Sequence, residues 1–338
     1  MSKRILVVRD QEDDRRSIRD LLTVGICVLS LWQPAGLAAQ EQAKTWWIGL
    51  CHVGLDHEPP SLPTLHRALN EMGYEDGRNL RFDWRNQADE AAAEATTKEW
   101  VAAGVDLIVA FEDQCVRAAK AATSEVPIVM VHAFDPEAAG YIKSLARPGG
   151  NITGPISNLD LIAKKLQFFK EIGFRRTLLL VDPMDPITPR ELAKARKAGA
   201  ALGLELVERE VTTAADIEGV FDALSPGEVD VILPVSPALF TNCPSLILDL
   251  AARERIPLAM HRKAWVERGA LFTYAPDFAA AGPLAAQYIE KILNGALPAE
   301  LPVEEISQII LTINVKRAHD LGITIPPSIL LRADEVIE

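Results

Sequence analysis

Runs of consecutive apolar residues alternate with amphipathic stretches over most of the chain. The apolar runs predict buried strands, and stretches whose apolar positions recur every three or four residues predict helices. The predicted strands are 46–52, 80–84, 105–110, 128–132, 177–181, 205–211, 229–235 and 258–260; the predicted helices are 62–72, 90–103, 114–124, 159–172, 188–202, 217–224, 245–255 and 277–294. Strands that are apolar throughout and separated by helices are typical of α/β folds with parallel sheets covered on both faces.

A faint internal repeat indicates two similar lobes. Val-Asp-Leu-Ile at 105–108 recurs as Val-Asp-Val-Ile at 229–232, and Val-Pro-Ile-Val-Met at 126–130 recurs as Ile-Pro-Leu-Ala-Met at 256–260. The two matches have the same order and similar offsets, and in both the proline stands where a strand begins, the position that tolerates its missing N–H. We therefore expect two doubly wound parallel-sheet lobes.

The order of strands and helices indicates where a ligand would bind. Open α/β sheets bind ligands beyond the carboxyl ends of their strands. In a two-lobed protein these ends face a shared cleft, where backbone N–H groups at helix starts can hold an anionic group. The segments that follow the predicted strands are 51–58, 111–114, 133–135, 236–238 and 261–263.

Composition and charge narrow the classes of function. Of the 338 residues, 49% are apolar and 24% are charged, which is ordinary for a folded globular protein. The 35 basic and 47 acidic residues give a net charge of −12, which argues against nucleic acid and anionic membranes as partners. The chain has no G-x-G-x-x-G, phosphate-binding loop, G-x-S-x-G or H-E-x-x-H motif. These observations favour a binding function without a cofactor over catalysis.

The first forty residues are predicted to be a leader outside the fold. The apolar run LLTVGICVLSLW has nine apolar residues in twelve and no charge, and it is too short to span a bilayer. Arg15, Arg16 and Arg19 precede it and small residues follow it, which is the layout of a secretory signal peptide. We expect cleavage near residues 38–40 and a periplasmic product, by the general secretory or the twin-arginine route. A buried N-terminal helix is the alternative.

Residues 1–22 resemble the opening strand and helix of a response-regulator receiver domain. Asp10 matches one member of the receiver's acidic pair, but Arg9 stands where the other would be. No phospho-acceptor strand follows, so we assign this extension no activity.

The cysteines do not form a recognisable framework. They lie at positions 27, 51, 115 and 243, which is too few and too scattered for a disulfide scaffold. Loss of the leader would leave three, and an odd number in an oxidising compartment implies at least one free thiol.

The loop after the first strand concentrates residue types that bind metals. Residues 51–58 read CHVGLDHE, with five potential ligands in eight positions. Thiolate, imidazole and carboxylate together suit zinc or a similar ion, although the spacing matches no ligand framework. Three interpretations stay open: an ordinary loop at the cleft edge, direct contact of this loop with a ligand, and metal-dependent binding. We assign no metal ligand.

Acidic residues follow two of the predicted strands. Glu112 and Asp113 stand between a strand and a helix, and Asp113 is expected to cap that helix by accepting its first N–H groups. Alternatively, Glu112 or Asp113 faces the cleft and pairs with a cationic ligand group. Asp135 precedes Pro136 and is either a turn former or a ligand acceptor.

Several motifs resemble one protein family. In chain order they are Met-Gly-Tyr-Glu-Asp-Gly-Arg-Asn-Leu at 72–80, Leu-Ala-Arg-Pro-Gly-Gly-Asn-Ile-Thr-Gly at 145–154, Gly-Ala-Leu-Phe-Thr-Tyr-Ala-Pro-Asp at 269–277, Leu-Pro-Ala-Glu-Leu-Pro-Val at 297–303, Leu-Gly-Ile-Thr-Ile-Pro-Pro-Ser at 321–328 and Arg-Ala-Asp-Glu-Val-Ile at 332–337. Together they resemble the tryptophan/tyrosine-type substrate-binding proteins of ABC transporters, which have the type I periplasmic-binding fold.

The resemblance implies a secreted, non-enzymatic receptor whose two lobes are joined by three crossovers. The implied crossovers lie near 154–157, 274–277 and 297–303. The implied N-terminal lobe is 41–155 with 277–299, and the implied C-terminal lobe is 156–276 with 300–338. Lobe closure on a small solute, an amino acid or a related compound, would present the closed form to the membrane permease of an ABC importer.

Two departures from the family pattern bear on specificity. After the strand 105–110, relatives usually carry a small Gly-Thr/Ser-Pro-type turn, whereas this chain has Phe-Glu-Asp-Gln at 111–114. After the strand 229–235, an acidic or amide residue is common, whereas this chain has Ser236, which cannot neutralise an amine. The acidic pair of Glu112 and Asp113 instead predicts a solute with a cationic or multiply hydrogen-bonding group.

We therefore predict an ABC-importer substrate-binding protein, a monomer whose partners are a small-molecule ligand and a permease. A ligand-sensing module for a membrane signalling partner is the alternative, and an enzyme of unknown type is a third. The residues predicted to contact the ligand are His52, Glu112, Asp113, Gln114, Asp135, Asn158 and Ser236. The tryptophans predicted to be core residues are Trp46, Trp47 and Trp84.

Overall fold

The computed structural model describes residues 44–54, 58–157, 161–185, 187–235, 239–240 and 243–338. The leader with its receiver-like extension, the loop residues Asp56 and His57, and the predicted ligand contacts Asn158 and Ser236 lie outside these residues. Among the helices in the described ranges, none combines the length and the hydropathy needed to cross a membrane.

The first part of the described chain forms a five-stranded parallel sheet. Its strands are β1 (Trp46–Val53), β2 (Leu80–Gln87), β3 (Leu107–Phe111), β4 (Ile128–Val131) and β5 (Ile152–Thr153), in the spatial order β2-β1-β3-β4-β5. The helices between them are α1 (Ser61–Glu71), α2 (Glu90–Ala102) and α3 (Glu112–Ala122). Parallel neighbours need crossover connections, and these helices supply them.

Successive residues of β3 point into two separate cores. Leu107 and Val109 pack on the side of α1, whereas Ile108 and Ala110 pack on the side of α2 and α3. Because both faces of the sheet are buried, this strand is apolar at every position rather than at every second one. The uninterrupted apolar runs in the sequence have this physical cause.

The remaining elements follow in chain order. They are β6 (Pro155–Ile156), α4 (Ile162–Ile172), β7 (Arg176–Val181), α5 (Thr188–Leu202), β8 (Glu205–Glu210), α6 (Ala214–Ala223), β9 (Val231–Pro234), α7 (Pro244–Arg253), β10 (Ala259–Met260), α8 (Lys263–Glu267), β11 (Phe272–Pro276), α9 (Ala281–Leu293), β12 (Glu304–Glu305), β13 (Ile309–Asn314), α10 (Val315–Asp320), α11 (Pro327–Leu330) and β14 (Glu335–Ile337). Short 3-10 turns occupy Phe278–Ala280 and Pro298–Glu300.

A second set of strands forms the other lobe. Strands β8, β7 and β9 pair in parallel, and β10, β11, β13 and β14 form the neighbouring sheet. A bridge between Ile232 and Leu258 links the two sheets. Strand β13 runs antiparallel to β11. The hydrophobic pattern did not predict β11, β13 or β14.

Helix α9 belongs to the core of the first lobe, although it follows strand β11 of the second. Ile289 shares that core with Leu65 and Leu69 of α1. The two helices are in tight contact at Gly282, where a Cβ atom would lie 2.5 Å from the carbonyl oxygen of Ser61. Glycine is therefore required at this crossing, because any side chain would push the helices apart.

The internal repeat corresponds to equivalent units in the two lobes. Strand β3 pairs with β4 in the first lobe, and β9 is bridged to β10 in the second. The repeated aspartate also has the same role in both. Asp106 accepts a hydrogen bond of 2.8 Å from the N–H of Trp47, at the start of β1, and Asp230 accepts one of 2.8 Å from the N–H of Arg175, just before β7. The predicted fold class, two lobes with parallel sheets, is confirmed.

Candidate ligand-binding site

Polar side chains from both lobes meet beyond the carboxyl ends of the strands. His52 lies near the end of β1, Glu112 follows β3 and His132 follows β4. From the second lobe, Arg262 follows β10. Because this edge is where open α/β sheets bind ligands, these four residues define the candidate site.

Glu112 begins α3 in a left-handed backbone conformation. Its φ is 62°, which is uncommon outside glycine, and the residue before it, Phe111, provides no side-chain cap. The Glu112 carboxylate contacts the guanidinium of Arg262 in the other lobe, and its Oε1 lies 3.8 Å from Nε2 of His52. Strained residues cluster at functional sites, so the conformation of Glu112 supports a functional role.

Arg262 is a buried cation between the lobes. Its side chain is 5% exposed, and its guanidinium lies 4.7 Å from the centre of the Phe278 ring and 5.6 Å from that of Trp265. Aromatic faces attract a guanidinium, and the Glu112 carboxylate compensates the cost of burying its charge. The site therefore contains one positive and one negative group, contributed by opposite lobes.

Asp113 faces a different direction from Glu112. Its carboxylate accepts a hydrogen bond of 3.3 Å from the N–H of Phe134, which ties α3 to the segment after β4. Burial raises the pKa of Asp113 to about 7, and nearby Arg117 opposes the rise only in part. The prediction that Asp113 caps α3 is wrong, because the helix already begins at Glu112 and Asp113 lies within its first turn.

Asp135 forms a turn and also contacts the second lobe. Its Oδ1 accepts a hydrogen bond of 3.3 Å from the N–H of Ala138, as expected of a turn former. Its Oδ2 pairs with Arg190 of α5. Both side chains of this pair are partly exposed, so it lies at the edge of the interface between the lobes, unlike the buried pair of Glu112 and Arg262.

His132 is a neutral imidazole at the base of the site. Its Nδ1 lies 3.3 Å from the hydroxyl of Ser157, and its Nε2 lies 3.2 Å from the hydroxyl of Ser61. Burial lowers the pKa of His132 to about 3, with a smaller contribution from the nearby His52. A neutral imidazole donates at one nitrogen and accepts at the other, so it can join both serines.

Aromatic side chains line the site beside Glu112. The rings of Trp84 and Phe111 meet edge to face with centres 5.9 Å apart, and the His52 ring lies 6.1 Å from Phe111. Trp84 packs against the core of the first lobe, as predicted, but part of it stays exposed. Gln114 follows in the first turn of α3 and is also partly exposed.

The described part of the 51–58 loop gives metal binding no support. Cys51 is fully buried, and its Sγ lies 3.2 Å from Sγ of Cys115 in the core of the lobe. The Nδ1 of His52 lies 3.0 Å from the carbonyl oxygen of Val53. Among the residues for which the structure gives positions, no group of three His, Cys, Asp or Glu side chains could hold a metal ion.

Sequence reasoning missed the two arginines of the second lobe. Topology pointed to the segment 261–263, but nothing in the hydrophobic pattern distinguished Arg262 from its neighbours. The available signal was a basic residue after strand β10 of one lobe and an acidic residue after strand β3 of the other. Of the predicted contacts, the structure brings His52 and Glu112 together, while Asp135 pairs with Arg190 elsewhere in the interface.

Comparison with known proteins gives consistent matches over most of the chain. The model of the family described as ABC transporter substrate binding protein matches residues 60–337. A tyrosine-binding protein of Clostridioides difficile is 26% identical over 286 residues, which are 82% of each chain. A conserved domain protein of Vibrio cholerae has a TM-score of 0.77 at 27% identity, and an ABC domain in complex with L-Trp from Streptococcus pneumoniae has the same score at 25%; each match covers 87% of this chain and 100% of the other.

Proposed function

Because the chain belongs to the family of ABC transporter substrate-binding proteins, we propose that it captures a small amino-acid-type solute between its lobes and delivers it to the permease of an ABC importer. The family consists of substrate-binding proteins rather than enzymes. In this proposal the protein is a monomer that needs no cofactor and works in the periplasm after loss of a leader near residues 38–40.

The observation that carries the proposal is the buried ion pair between Glu112 and Arg262. The two residues belong to different lobes, and both lie at the edge where open sheets bind their ligands. A solute that contacts both residues is bound only when the lobes are close together. Such a solute shifts the population toward the closed form by its difference in affinity for the two forms.

The charges of this pair match a zwitterionic solute. An amino acid carries an ammonium group that suits Glu112 and a carboxylate that suits the guanidinium of Arg262. The solute would thus replace one ion pair by two charge-assisted contacts of the same kind. The cationic group expected from the sequence is then the ammonium of an amino acid, the class named for the tyrosine-binding relative and the L-Trp complex.

The remaining predicted contacts complete the proposed site. Trp84 and Phe111 offer an apolar wall to the side chain of the solute. We assign further polar contacts to His52, Gln114, Asn158 and Ser236. Asp113 and Asp135 act indirectly, since Asp113 holds the N–H of Phe134 and Asp135 pairs with Arg190 across the lobes.

The lobe boundaries implied by the family resemblance form part of the proposal. The N-terminal lobe would be 41–155 with 277–299, and the C-terminal lobe 156–276 with 300–338. The packing of α9 on α1 supports the return of 277–299 to the first lobe. The pairing of β6 with β12 supports two neighbouring crossovers between the lobes.

Thermal-shift screening followed by calorimetry tests the ligand class. We expect an increase in melting temperature with one or more free amino acids. The matched controls are the N-acetylated and the amidated forms of the same compound, which lack one charge each and should bind far more weakly. Shifts produced only by purely anionic compounds, or equally by both blocked forms, would contradict the proposal.

Cell fractionation tests location and delivery. The mature protein should be found in the periplasm with a new N-terminus near residues 38–40, and its loss should reduce uptake of the bound solute. An uncleaved chain confined to the cytoplasm, or unchanged uptake, would contradict this part of the proposal.

A further inference from the structure

Two of the three cysteines in the described residues are in contact inside the first lobe. Cys51 lies near the end of β1 and Cys115 in the first half of α3, 64 positions apart in the chain. Their Sγ atoms are 3.2 Å apart, and neither side chain is exposed. The sulfur atoms of a disulfide are about 2 Å apart, so a movement of about 1 Å would bring the two atoms to bonding distance.

The surroundings of the pair are apolar and accommodate a disulfide. Apolar side chains of β3, α2 and α3 enclose it, among them Ala110, Ala93 and Val116. A thiol is a weak donor that gains little in such a place, and a disulfide removes both S–H groups.

We propose that Cys51 and Cys115 form a disulfide bond that joins the carboxyl end of β1 to the start of α3. The step is thiol–disulfide exchange: a disulfide-carrying oxidant of the compartment accepts two electrons and two protons from the two thiols and leaves as two thiols. The inference rests on the export in the proposed function, because the cytoplasm keeps thiols reduced.

The bond would form while the chain folds and would then be protected. The thiolate is the form that reacts in exchange. Burial and the adjacent Cys51 thiol raise the pKa of Cys115 well above its usual range, so the folded chain presents almost no thiolate at this position. Both side chains are fully buried, so added reductant should reach the formed bond only when the protein unfolds.

The position of the bond connects it to the candidate site. Cys51 immediately precedes His52, and Cys115 lies one helical turn after Glu112. Fixing β1 to α3 therefore fixes the distance between two side chains of the site. We expect the reduced protein to bind the solute several-fold more weakly than the oxidised protein.

Peptide mapping tests the bond directly. The full chain is unfolded in reductant, refolded with reduced and oxidised glutathione, treated with N-ethylmaleimide under denaturing conditions, and digested without reductant. The expected product is one linked peptide that contains Cys51 and Cys115, with the maleimide on Cys27 and Cys243. Maleimide on both Cys51 and Cys115 in the refolded protein would overturn the inference.

Thermal unfolding provides a second test, because it compares two redox forms of the same wild-type chain and needs no substitution. Wild-type protein refolded with glutathione should melt about 5–15 °C higher than the same chain refolded in dithiothreitol. The double variant Cys51→Ala/Cys115→Ala should lose this redox difference, and the control Cys243→Ala should keep it. Equal melting temperatures of the two wild-type samples would also overturn the inference.

Peptide mapping of protein recovered from cells distinguishes a failure of the disulfide inference from a failure of the proposed function. Unlinked Cys51 and Cys115 in protein recovered outside the cytoplasm would overturn the disulfide and leave solute binding as proposed. A linked peptide after refolding, together with a chain confined to the cytoplasm, would support the disulfide assignment and contradict the proposed location.

Discussion

Replacement of Arg262 by glutamine is expected to weaken solute binding much more than it weakens the fold. The change removes the positive charge opposite Glu112 and keeps a polar side chain. The Arg262 side chain is 5% exposed and that of Glu112 is 20% exposed, so water reaches little of the pair. Removing one partner of a buried ion pair costs about 3–5 kcal/mol, because the other charge stays buried without compensation.

The cost should fall on the closed arrangement, because the two residues lie in different lobes. In the bound form the ammonium of the solute pairs with Glu112, so the charge left without compensation in the variant is the solute carboxylate, which returns to water when the lobes separate. With a discount for the partial exposure of the site, we expect a loss of about 2–3 kcal/mol of binding free energy. This corresponds to a loss of solute affinity of about 30- to 150-fold. The melting temperature without solute should change by only a few degrees.

Isothermal titration calorimetry with the solute found by thermal-shift screening measures the loss. Arg190→Gln is the matched control, since it also removes a guanidinium that reaches the other lobe. Its partner across the lobes is Asp135, and these two side chains are 46% and 27% exposed, so the pair contributes about 0–1 kcal/mol and its loss should reduce affinity less than about fivefold. Equal losses in the two variants, or unchanged affinity with a large fall in melting temperature for Arg262→Gln, would show that Arg262 does not bind the solute.

Two further predictions concern the fold. The pKa of Asp113 is raised to about 7 in the folded state, above its value of about 3.9 in the unfolded chain. Because the folded state binds this proton more tightly, the free energy of unfolding should fall as pH rises from about 4 to 8. Asp113→Asn keeps an acceptor for the N–H of Phe134 and should remove this fall. Denaturant titrations at pH 8 should then give a free energy of unfolding about 2 kcal/mol higher than that of the wild type. If the variant shows the same dependence of stability on pH as the wild type, the Asp113 carboxyl is not its cause. Gly282→Ala should cost about 2–3 kcal/mol, since its Cβ would meet the backbone of α1. The control Gly219→Ala, where nothing lies within 4 Å of the new Cβ, should be neutral or stabilising, and equal effects of the two would show that α9 can move away from α1.

The sequence predicted the two-lobed fold because burial on both faces leaves a direct trace. Strands such as β3 are apolar at every position, and the repeat around Asp106 and Asp230 reflects an aspartate that holds backbone N–H groups in both lobes. Strand β13 left no uninterrupted apolar run, since its buried positions include the polar residues Thr312 and Asn314. Only the family motifs pointed to a structured C-terminal region.

The site was predicted less completely, because its chemistry depends on contacts between lobes. Sequence alone could not distinguish Glu112, which reaches Arg262, from its neighbour Asp113, which turns to the N–H of Phe134. The positive φ of Glu112 decides between them, and this angle depends on how α3 joins β3. Charge pairs such as Asp135 with Arg190 are likewise visible only after the lobes are assembled.

A crystal structure of the protein with its bound solute shows whether the Glu112–Arg262 pair holds the ligand. We predict a solute between the lobes, with a cationic group on the Glu112 carboxylate and an anionic group on the Arg262 guanidinium. A solute bound away from these two residues, with their ion pair intact, would contradict this prediction.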